Sequence, residues 1–237
     1  MKLALKKLFI ERVDGIILSP GFNFVEYKDL VERIVANGIP VLYLVNDMNG
    51  INSIGCVRMD GKVAGRMAAQ FLRFCLGRQK SVAVLACNKE ILVQKECIDG
   101  FVEESSRNDL VVKGIFETQD DKKIAYYLTE KIIKEIPDLE GIYVSSYNSV
   151  AVCSCLEDYG KQDTVTVIGQ DLFLELVYKL EVGSLKATLF QDPFEQGRRA
   201  VEIMYSHLTG EVQEKEEFLL TPQLVFTSNL DSYKIKY

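Results

Sequence analysis

Residues 80–117 read KSVAVLACNKEILVQKECIDGFVEESSRNDLVVKGIFE, and this stretch decides the fold. It holds two short apolar runs, Val82–Ala86 and Val111–Glu117, on either side of a segment with helical spacing, Ile91–Ser105. Apolar runs without regular polar alternation are typical of strands that are covered on both faces. A strand, a helix and a strand in this order predict two parallel strands joined by a right-handed crossover.

The same alternation of apolar runs and helical segments continues along the rest of the chain. Further strands are predicted at Val13–Leu18, Val41–Val45, Ile54–Val57, Ile142–Ser145, Val165–Ile168 and Leu185–Phe190. Further helices are predicted at Leu3–Ile10, Val25–Ala36, Met59–Leu76, Lys122–Ile136, Ser149–Tyr159, Leu172–Glu181 and Phe194–Leu208, the last with Pro193 at its first turn. The predicted fold class is α/β. Three strands before Lys80, against five after it, predict an incomplete first sheet.

Composition and charge argue against several classes of function. The 237 residues are 48% hydrophobic and carry a formal net charge of −6, the wrong sign for a protein that binds nucleic-acid phosphates. No apolar run reaches the roughly 18 residues that span a bilayer, and Met1 leads into an amphipathic segment. We therefore expect neither a signal peptide nor a membrane partner. Two acidic stretches, Asp120-Asp121 and Glu211–Glu217, are predicted to be solvated.

The cysteine, histidine and glycine residues indicate neither a metal site nor a catalytic site. Cys153 and Cys155 lie two residues apart on a predicted helix, where side chains diverge, and the six cysteines favour a reduced, cytoplasmic compartment. His207 is the only histidine, which leaves no zinc set or catalytic triad. The glycines form no phosphate-binding loop, so we expect no cofactor and no catalytic residues. Gly61 and Gly65 instead predict close packing of their helix.

Polar residues follow most of the predicted strands, at the edge where open parallel sheets bind ligands. They are Ser19-Pro20, Asn46-Asp47, Cys87-Asn88, Thr118-Gln119, Ser145-Ser146-Tyr147, Gln170-Asp171 and Gln191-Asp192. This set is rich in amides and carboxylates and nearly free of cations, which suits a neutral sugar or polyol. Helix capping is the alternative for Ser145, Ser146 and Asp171, but it explains Gln191 poorly because glutamine is not a favoured cap.

Six motifs occur along the chain in a specific order. They are Val13-Asp14-Gly15-Ile16-Ile17-Leu18-Ser19-Pro20, Gly38-Ile39-Pro40-Val41, Asp60-x4-Gly65-Arg66-x-Ala68-Ala69, Asp99-Gly100-Phe101, Val167-Ile168-Gly169-Gln170-Asp171 and Gln191-Asp192-Pro193-x2-Gln196-Gly197-x2-Ala200. Together they resemble the effector-binding domain of the lactose-repressor/galactose-repressor (LacI/GalR) family, which is itself similar to type I periplasmic sugar-binding proteins. The resemblance covers nearly all of the chain.

The resemblance implies two doubly wound parallel-sheet lobes that close on a sugar-like effector. The first lobe, partial here, would comprise residues 1–79 with 192–212, and the second would comprise residues 80–190 with 213–237. Members of the family begin with a helix-turn-helix DNA reader, followed by a strand, a helix and a strand that this sequence does not contain. The resemblance therefore implies an N-terminally truncated chain that reaches operator DNA only through a missing domain. It is also compatible with a homodimer.

The resemblance also implies which residues contact the ligand, from their positions in these motifs. The predicted ligand-binding residues are Asn46, Asp47, Cys97, Ser146, Tyr147, Asp171 and Gln191. Asp171 and Gln191 match the family pattern directly, and the others match it less closely. Cys97 stands in the place of a ligand-binding arginine, and a neutral thiol cannot form a bidentate clamp. Either Lys95 takes over this contact, or the ligand differs, or the site has decayed.

The predicted function is that of a sugar-sensing domain of a LacI-family transcriptional regulator. In such a regulator a ligand that prefers one arrangement of the lobes shifts the population toward it. Two alternatives have a different output: a solute-binding protein of a sugar ABC transporter, and the sensor domain of another signalling protein. None of the three is an enzyme.

Overall fold

The computed structural model describes residues 1–21, 24–48, 50–211 and 215–233, and the chain divides into two compact units. Unit 1 contains Met1–Met59 and Asp192–Leu220, and unit 2 contains Asp60–Gln191 and Thr221–Tyr237. The chain therefore passes from one unit to the other three times.

Strands and helices alternate along the described residues, as the apolar runs predict. The strands are β1 (Ile16–Leu18), β2 (Val41–Leu44), β3 (Gly55–Met59), β4 (Lys80–Ala86), β5 (Leu110–Glu117), β6 (Leu139–Val144), β7 (Thr166–Gln170), β8 (Ala187–Phe190), β9 (Glu216–Leu220) and β10 (Gln223–Val225). The helices are α1 (Lys2–Glu11), α2 (Lys28–Ala36), α3 (Gly61–Leu76), α4 (Leu92–Arg107), α5 (Lys122–Glu135), α6 (Ser149–Asp158), α7 (Leu174–Glu181) and α8 (Pro193–Leu208). The predicted α/β class is confirmed. Across the described ranges, none of these helices is long and apolar enough to cross a membrane.

Unit 1 has a parallel sheet in the order β1-β2-β3-β9. No apolar run predicts β9, because its first residues belong to the acidic stretch that was expected to be a solvated turn. Residues 212–214 of that stretch lie outside the described residues. The guanidinium of Arg58 on β3, only 4% exposed, donates to Glu217 Oε1 on β9 at 2.7 Å. A late segment thus returns to add a fourth strand to the three that the sequence predicts.

Unit 2 has a sheet in the order β10-β8-β7-β6-β4-β5. No apolar run predicts β10, which pairs antiparallel with β8 at the edge of the otherwise parallel sheet. Parallel sheets of α/β folds commonly carry one antiparallel edge strand. The other pairs are parallel, and Val82–Ala86 on β4 is completely buried, as expected for a strand covered on both faces.

The helices α3 and α4 of unit 2 touch through their backbones. A Cβ atom added to Gly65 would lie 2.0 Å from the carbonyl oxygen of Cys97, and one added to Gly61 would lie 2.7 Å from that of Val93. Side chains of any size would push the helices apart, so glycine is required at this contact. The predicted role of Gly61 and Gly65 in close helix packing is confirmed.

The border between the units differs from the predicted one. It falls at Met59 and Asp60 rather than after residue 79, because α3 packs on α4 and belongs to unit 2. The predicted second lobe also included residues 213–237, but Glu216–Leu220 pairs with β3 and belongs to unit 1. Helix packing and strand pairing therefore set the border between the units.

The segment that leads into α8 fixes where this helix begins. Asp192 is the N-cap residue, and its Oδ1 accepts the backbone N–H of Glu195 at 3.1 Å. Pro193 occupies the first turn, where a missing N–H costs nothing. The predicted first-turn proline is confirmed.

Candidate functional site

Asp171 and Gln191 lie together at the carboxyl edge of the unit 2 sheet, where β7 and β8 end. Asp171 has a left-handed backbone with φ of 72°, an unfavourable conformation for a residue other than glycine. Its N–H donates to the carbonyl of Leu189 at 2.9 Å, and its own carbonyl accepts the hydroxyl of Thr188 at 2.6 Å. Strand β8 therefore holds Asp171 in place, and Gln191 Nε2 donates to Asp171 Oδ1.

Helix capping does not account for Asp171 or Ser145 at this edge. The helix α7 begins only at Leu174, with Phe173 at its cap position, so Asp171 is not an N-cap. Ser145 donates its hydroxyl to Gln94 Oε1 at 3.0 Å, which ties β6 to α4. The pairing of Asp171 with a glutamine is thus not a by-product of helix formation.

The carboxylate of Asp171 has no compensating positive charge. Burial raises its pKa from 3.8 to about 6; the hydrogen bond from Gln191 opposes the rise and the charge of Asp120 adds to it. No cation is among the causes that act on either aspartate. A carboxylate in this state has acceptor capacity left for the hydroxyl or ammonium groups of a ligand.

Asp120 reaches the same edge from the end of β5. Gln119 and Asp120 both have left-handed backbones, with φ of 52° and 57°. Asp120 is exposed, as predicted, yet its carboxylate accepts the backbone N–H of Tyr147, and partial burial raises its pKa. Since Asp120 also acts electrostatically on Asp171, two carboxylates belong to this edge.

An aromatic pair lies beside the two carboxylates. The ring of Tyr147 stacks on that of Phe173, with 4.1 Å between centroids and 22° between planes. Tyr147 is 44% exposed, and the negative charges of Glu175, Asp171 and Asp120 add to the burial that raises its pKa. The pair offers a flat apolar surface next to hydrogen-bond acceptors, which is the combination that a sugar ring needs.

Two further side chains at the end of β6 have unused hydrogen-bonding atoms. Ser146 is 4% exposed, and its hydroxyl has no partner among the described residues. Asn148 is 1% exposed; its Nδ2 donates to Thr118 Oγ1 at 3.0 Å, while its Oδ1 has no described partner. Buried polar atoms without partners are rare in proteins and are commonly satisfied by water or a ligand.

Cys97 differs from the other predicted residues because its thiol is fully buried. Its Sγ lies 3.9 Å from Gln170 Oε1, which also accepts the hydroxyl of Tyr143 at 3.1 Å. Burial raises the pKa of the Cys97 thiol to about 12, so it stays neutral. Cys97 therefore lies in the packed interior, next to the residue that precedes Asp171, and its contact with a ligand stays a prediction. Lys95, the predicted substitute, is exposed on α4.

Asn46 and Asp47 belong to unit 1, where they follow β2. Val45 precedes them with φ of 71°, a strained backbone for a β-branched residue. Asn46 Oδ1 and Asp47 Oδ1 have no hydrogen-bond partner among the described residues, and Asp47 Oδ2 lies 4.0 Å from Lys215 Nζ. The carboxyl edge of unit 1 thus has the same types of acceptor as that of unit 2, but with a cation beside one of them.

The structure therefore groups three of the seven predicted residues closely, Tyr147, Asp171 and Gln191, with Ser146 next to Tyr147. The sequence prediction missed Asp120 and Phe173 as members of the group. The sequence does contain a signal for both: Asp120 lies two residues after Thr118 and Phe173 two residues after Asp171, and Thr118 and Asp171 are predicted strand-end residues. Among the described residues, no three His, Cys, Asp or Glu side chains are placed to hold a metal ion.

Two α/β units, each with polar side chains at the carboxyl edge of its sheet, define a two-unit binding protein. The sequence profile described as "Periplasmic binding protein domain" matches residues 4–212. The chain belongs to this family. A comparison with curated protein sequences finds no match.

Several solved structures share the fold. GanP, a glucose-galactose binding protein from Geobacillus stearothermophilus, is 23% identical, with a TM-score of 0.85 over 96% of this chain and 81% of its own. An ABC transporter solute-binding protein from Agrobacterium vitis with bound D-fucose is 21% identical, with a TM-score of 0.84 over 99% and 82%. One from Bacillus halodurans with bound myo-inositol is 20% identical, with a TM-score of 0.85 over 100% and 82%. At these low sequence identities, the structural similarity shows a shared fold only.

Proposed function

We propose that this chain is the sugar-binding domain of a solute-binding protein that serves an ABC transporter. The observation that carries the proposal is the group at the carboxyl edge of unit 2: Asp171 paired with Gln191, beside Asp120 and the stacked Tyr147 and Phe173. Carboxylates and amides accept and donate to sugar hydroxyls, and aromatic faces cover the apolar side of the ring. Structural neighbours described as ABC transporter solute-binding proteins with bound D-fucose and myo-inositol support the choice of ligand and system.

A thermal-shift screen tests the ligand class, because a compound that binds the native state raises the melting temperature. The compounds are D-glucose, D-galactose, D-fucose and myo-inositol, with D-glucose 6-phosphate and D-glucuronate as anionic controls. We expect at least one uncharged compound to raise Tm by several degrees and the anionic controls to have little effect. Stabilisation by the phosphate or the uronate alone would refute the proposal.

A LacI-family regulator is the second candidate, and the cysteines favour it. All six are free, and five of them are buried. Free thiols persist most readily in a reducing compartment, which favours a cytoplasmic location. The regulator candidate would act as a homodimer and bind operator DNA through a reader domain.

Cell fractionation separates the two candidates. The natural gene product is expressed in its own host and detected with an antibody against residues 1–237. Recovery with the cytoplasm, together with DNA in a cross-linking experiment, favours the regulator. Recovery outside the cytoplasm or with the membrane fraction favours the transporter component. Genes for transporter permeases beside the coding region give a second, independent criterion.

A further inference from the structure

The carboxylates of Asp120 and Asp171, at the carboxyl edge of unit 2, combine burial that raises their pKa with the lack of an ion pair to any described residue. Glu103 shows the contrast, because Lys62 and Arg66 lie 3.1 Å and 3.3 Å from its carboxylate and lower its pKa. The charge of Asp120 acts on Asp171, and no cation is among the causes that shift the pKa of either carboxyl. Two uncompensated negative charges near each other repel, and a ligand that supplies positive charge removes this repulsion.

The aromatic pair at the same edge already attracts an ammonium group. Lys122 Nζ lies 5.9 Å from the centroid of the Tyr147 ring, within the range of a cation–π interaction. Tyr147 is 44% exposed, so its ring has surface left for a ligand. The ring pair thus favours a cationic group on a bound ring, in addition to covering the ring itself.

An independent observation points to a ligand with several hydrogen-bond donors. The Ser146 hydroxyl and Asn148 Oδ1 have no described partner although the residues are 4% and 1% exposed. Both lie within two residues of Tyr147, on the loop whose backbone N–H contacts Asp120. A serine hydroxyl oxygen and an amide oxygen both accept hydrogen bonds, and an ammonium group supplies three donors.

We infer that unit 2 prefers a sugar or polyol that carries a protonated amino group, with the ammonium placed between Asp120, Asp171 and the Tyr147 ring. This inference rests on the proposed function and narrows its ligand class. Neutral sugars use the same acceptors through their hydroxyls but leave both carboxylates uncompensated. Acidic sugars are repelled.

Calorimetric titration of the full chain at pH 7 and low salt tests this preference with three matched pairs. They are D-glucose with D-glucosamine, D-galactose with D-galactosamine, and D-mannose with D-mannosamine. We expect the amino sugar of at least one pair to bind ten-fold or more tightly than its parent, because charge attraction is strongest at low ionic strength. The N-acetyl derivative, which keeps the substituent and loses its charge, should lose this advantage.

Two substitutions locate the effect. Asp120→Asn and Asp171→Asn keep the side-chain shape, and asparagine tolerates the left-handed backbone at both positions. Each should reduce the preference to three-fold or less. Asp163→Asn is the matched control, since it removes one exposed carboxylate from the loop before β7, at the opposite edge of the same sheet, and should keep the full preference.

The possible outcomes are distinct. If no pair shows a preference for the amine while neutral sugars bind, the inference fails and the proposed function stands. If the preference survives both substitutions, the ammonium lies elsewhere and the inference also fails. If none of these compounds and no sugar of the thermal-shift screen binds, the proposed function fails and the inference fails with it.

Discussion

The carboxyl edges of the two units have the same kinds of hydrogen-bond acceptor but differ in whether a cation lies beside an aspartate. In unit 1, Asp47 has Lys215 at 4.0 Å. In unit 2, neither Asp120 nor Asp171 forms an ion pair with a described residue; burial raises the pKa of both, and the charge of Asp120 raises that of Asp171 further. A buried carboxylate without a positive charge beside it destabilises the folded chain, even with one hydrogen bond, so its presence indicates selection for something other than stability. The comparison therefore indicates that the carboxyl edge of unit 2, more than that of unit 1, is adapted to binding a ligand.

The largest expected difference between the units concerns packing. A Cβ on Gly65 in unit 2 would lie 2.0 Å from a backbone oxygen of α4, whereas a Cβ on Gly15 in unit 1 would meet Met204 Sδ at 2.5 Å. Backbone cannot move without separating two helices, but a methionine side chain can rotate away. We expect Gly65→Ala to lower the free energy of unfolding by about 3 kcal/mol and Gly15→Ala by about 1 kcal/mol. Urea denaturation measures the free energy of unfolding of both variants. Equal losses would show that α4 moves away from an added Cβ as easily as the Met204 side chain does.

The second difference concerns ligand affinity. Asp171→Ala should weaken binding of the best uncharged ligand by about 2 kcal/mol, since ligand hydroxyls lose an acceptor that is removed from water. Asp47→Ala should cost less, about 0.5 kcal/mol, because that carboxylate already interacts with Lys215. Calorimetry gives the affinities, and the melting temperature of each unliganded variant separates a loss of affinity from a loss of folding. A larger loss of affinity from Asp47→Ala than from Asp171→Ala would show that the unit 1 edge contributes more to ligand binding than the unit 2 edge.

The smallest expected effect is a difference in how stability depends on pH. Because the pKa of Asp171 is raised from 3.8 to about 6, chiefly by burial, its contribution to stability is full below pH 3.8 and is lost as the pH rises through 6. Gln191 and Asp120 are the groups that act on this carboxyl besides burial. Asp171→Asn stays neutral, so we expect it to be more stable than the natural chain at pH 7.5 by about 1 kcal/mol.

Glu195 on α8 in unit 1 gives the opposite sign. Its hydrogen bond and charge interaction with Arg198, supported by Arg199, lower its pKa from 4.5 to about 2. Its contribution is present above pH 4.5 and is lost as the pH falls through 2. Thermal melts from pH 2 to 8 should show Asp171→Asn differing from the natural chain mainly above pH 4, and Glu195→Gln differing mainly above pH 2. Parallel curves for the two variants would contradict the charge comparison.

The sequence predicts the fold well because apolar runs report burial directly. Every predicted strand and helix is present, with ends that shift by a few residues. It does not predict β9, because Glu216 and Glu217 belong to a charged stretch and only pairing with β3 makes them a strand. It also does not predict which unit α3 joins, because that depends on how closely its glycines approach a neighbour 32 or more residues away, a tertiary effect.

The site is only partly predictable for a similar reason. Asp171 and Gln191 can be found from the rule that strand ends bind ligands, and their pairing follows from the adjacency of β7 and β8. The complete burial of Cys97 could not be predicted, because position in a motif does not reveal whether a side chain points into the packed interior. The stacking of Tyr147 on Phe173 joins two loops, and no local pattern in the sequence reports such a contact.

The late return of β9 has a consequence for the order in which the nascent chain can fold. Arg58 and Glu217, which join β3 to β9, are 159 residues apart in sequence. At roughly 5–20 residues per second, a ribosome needs on the order of ten seconds or more to make the intervening chain. During this interval β3 remains an open edge, while the five strands and five helices between residues 60 and 191 that build most of unit 2 emerge. The sheet of unit 1, which is the first to begin in translation, is therefore completed only after most of unit 2 has been made.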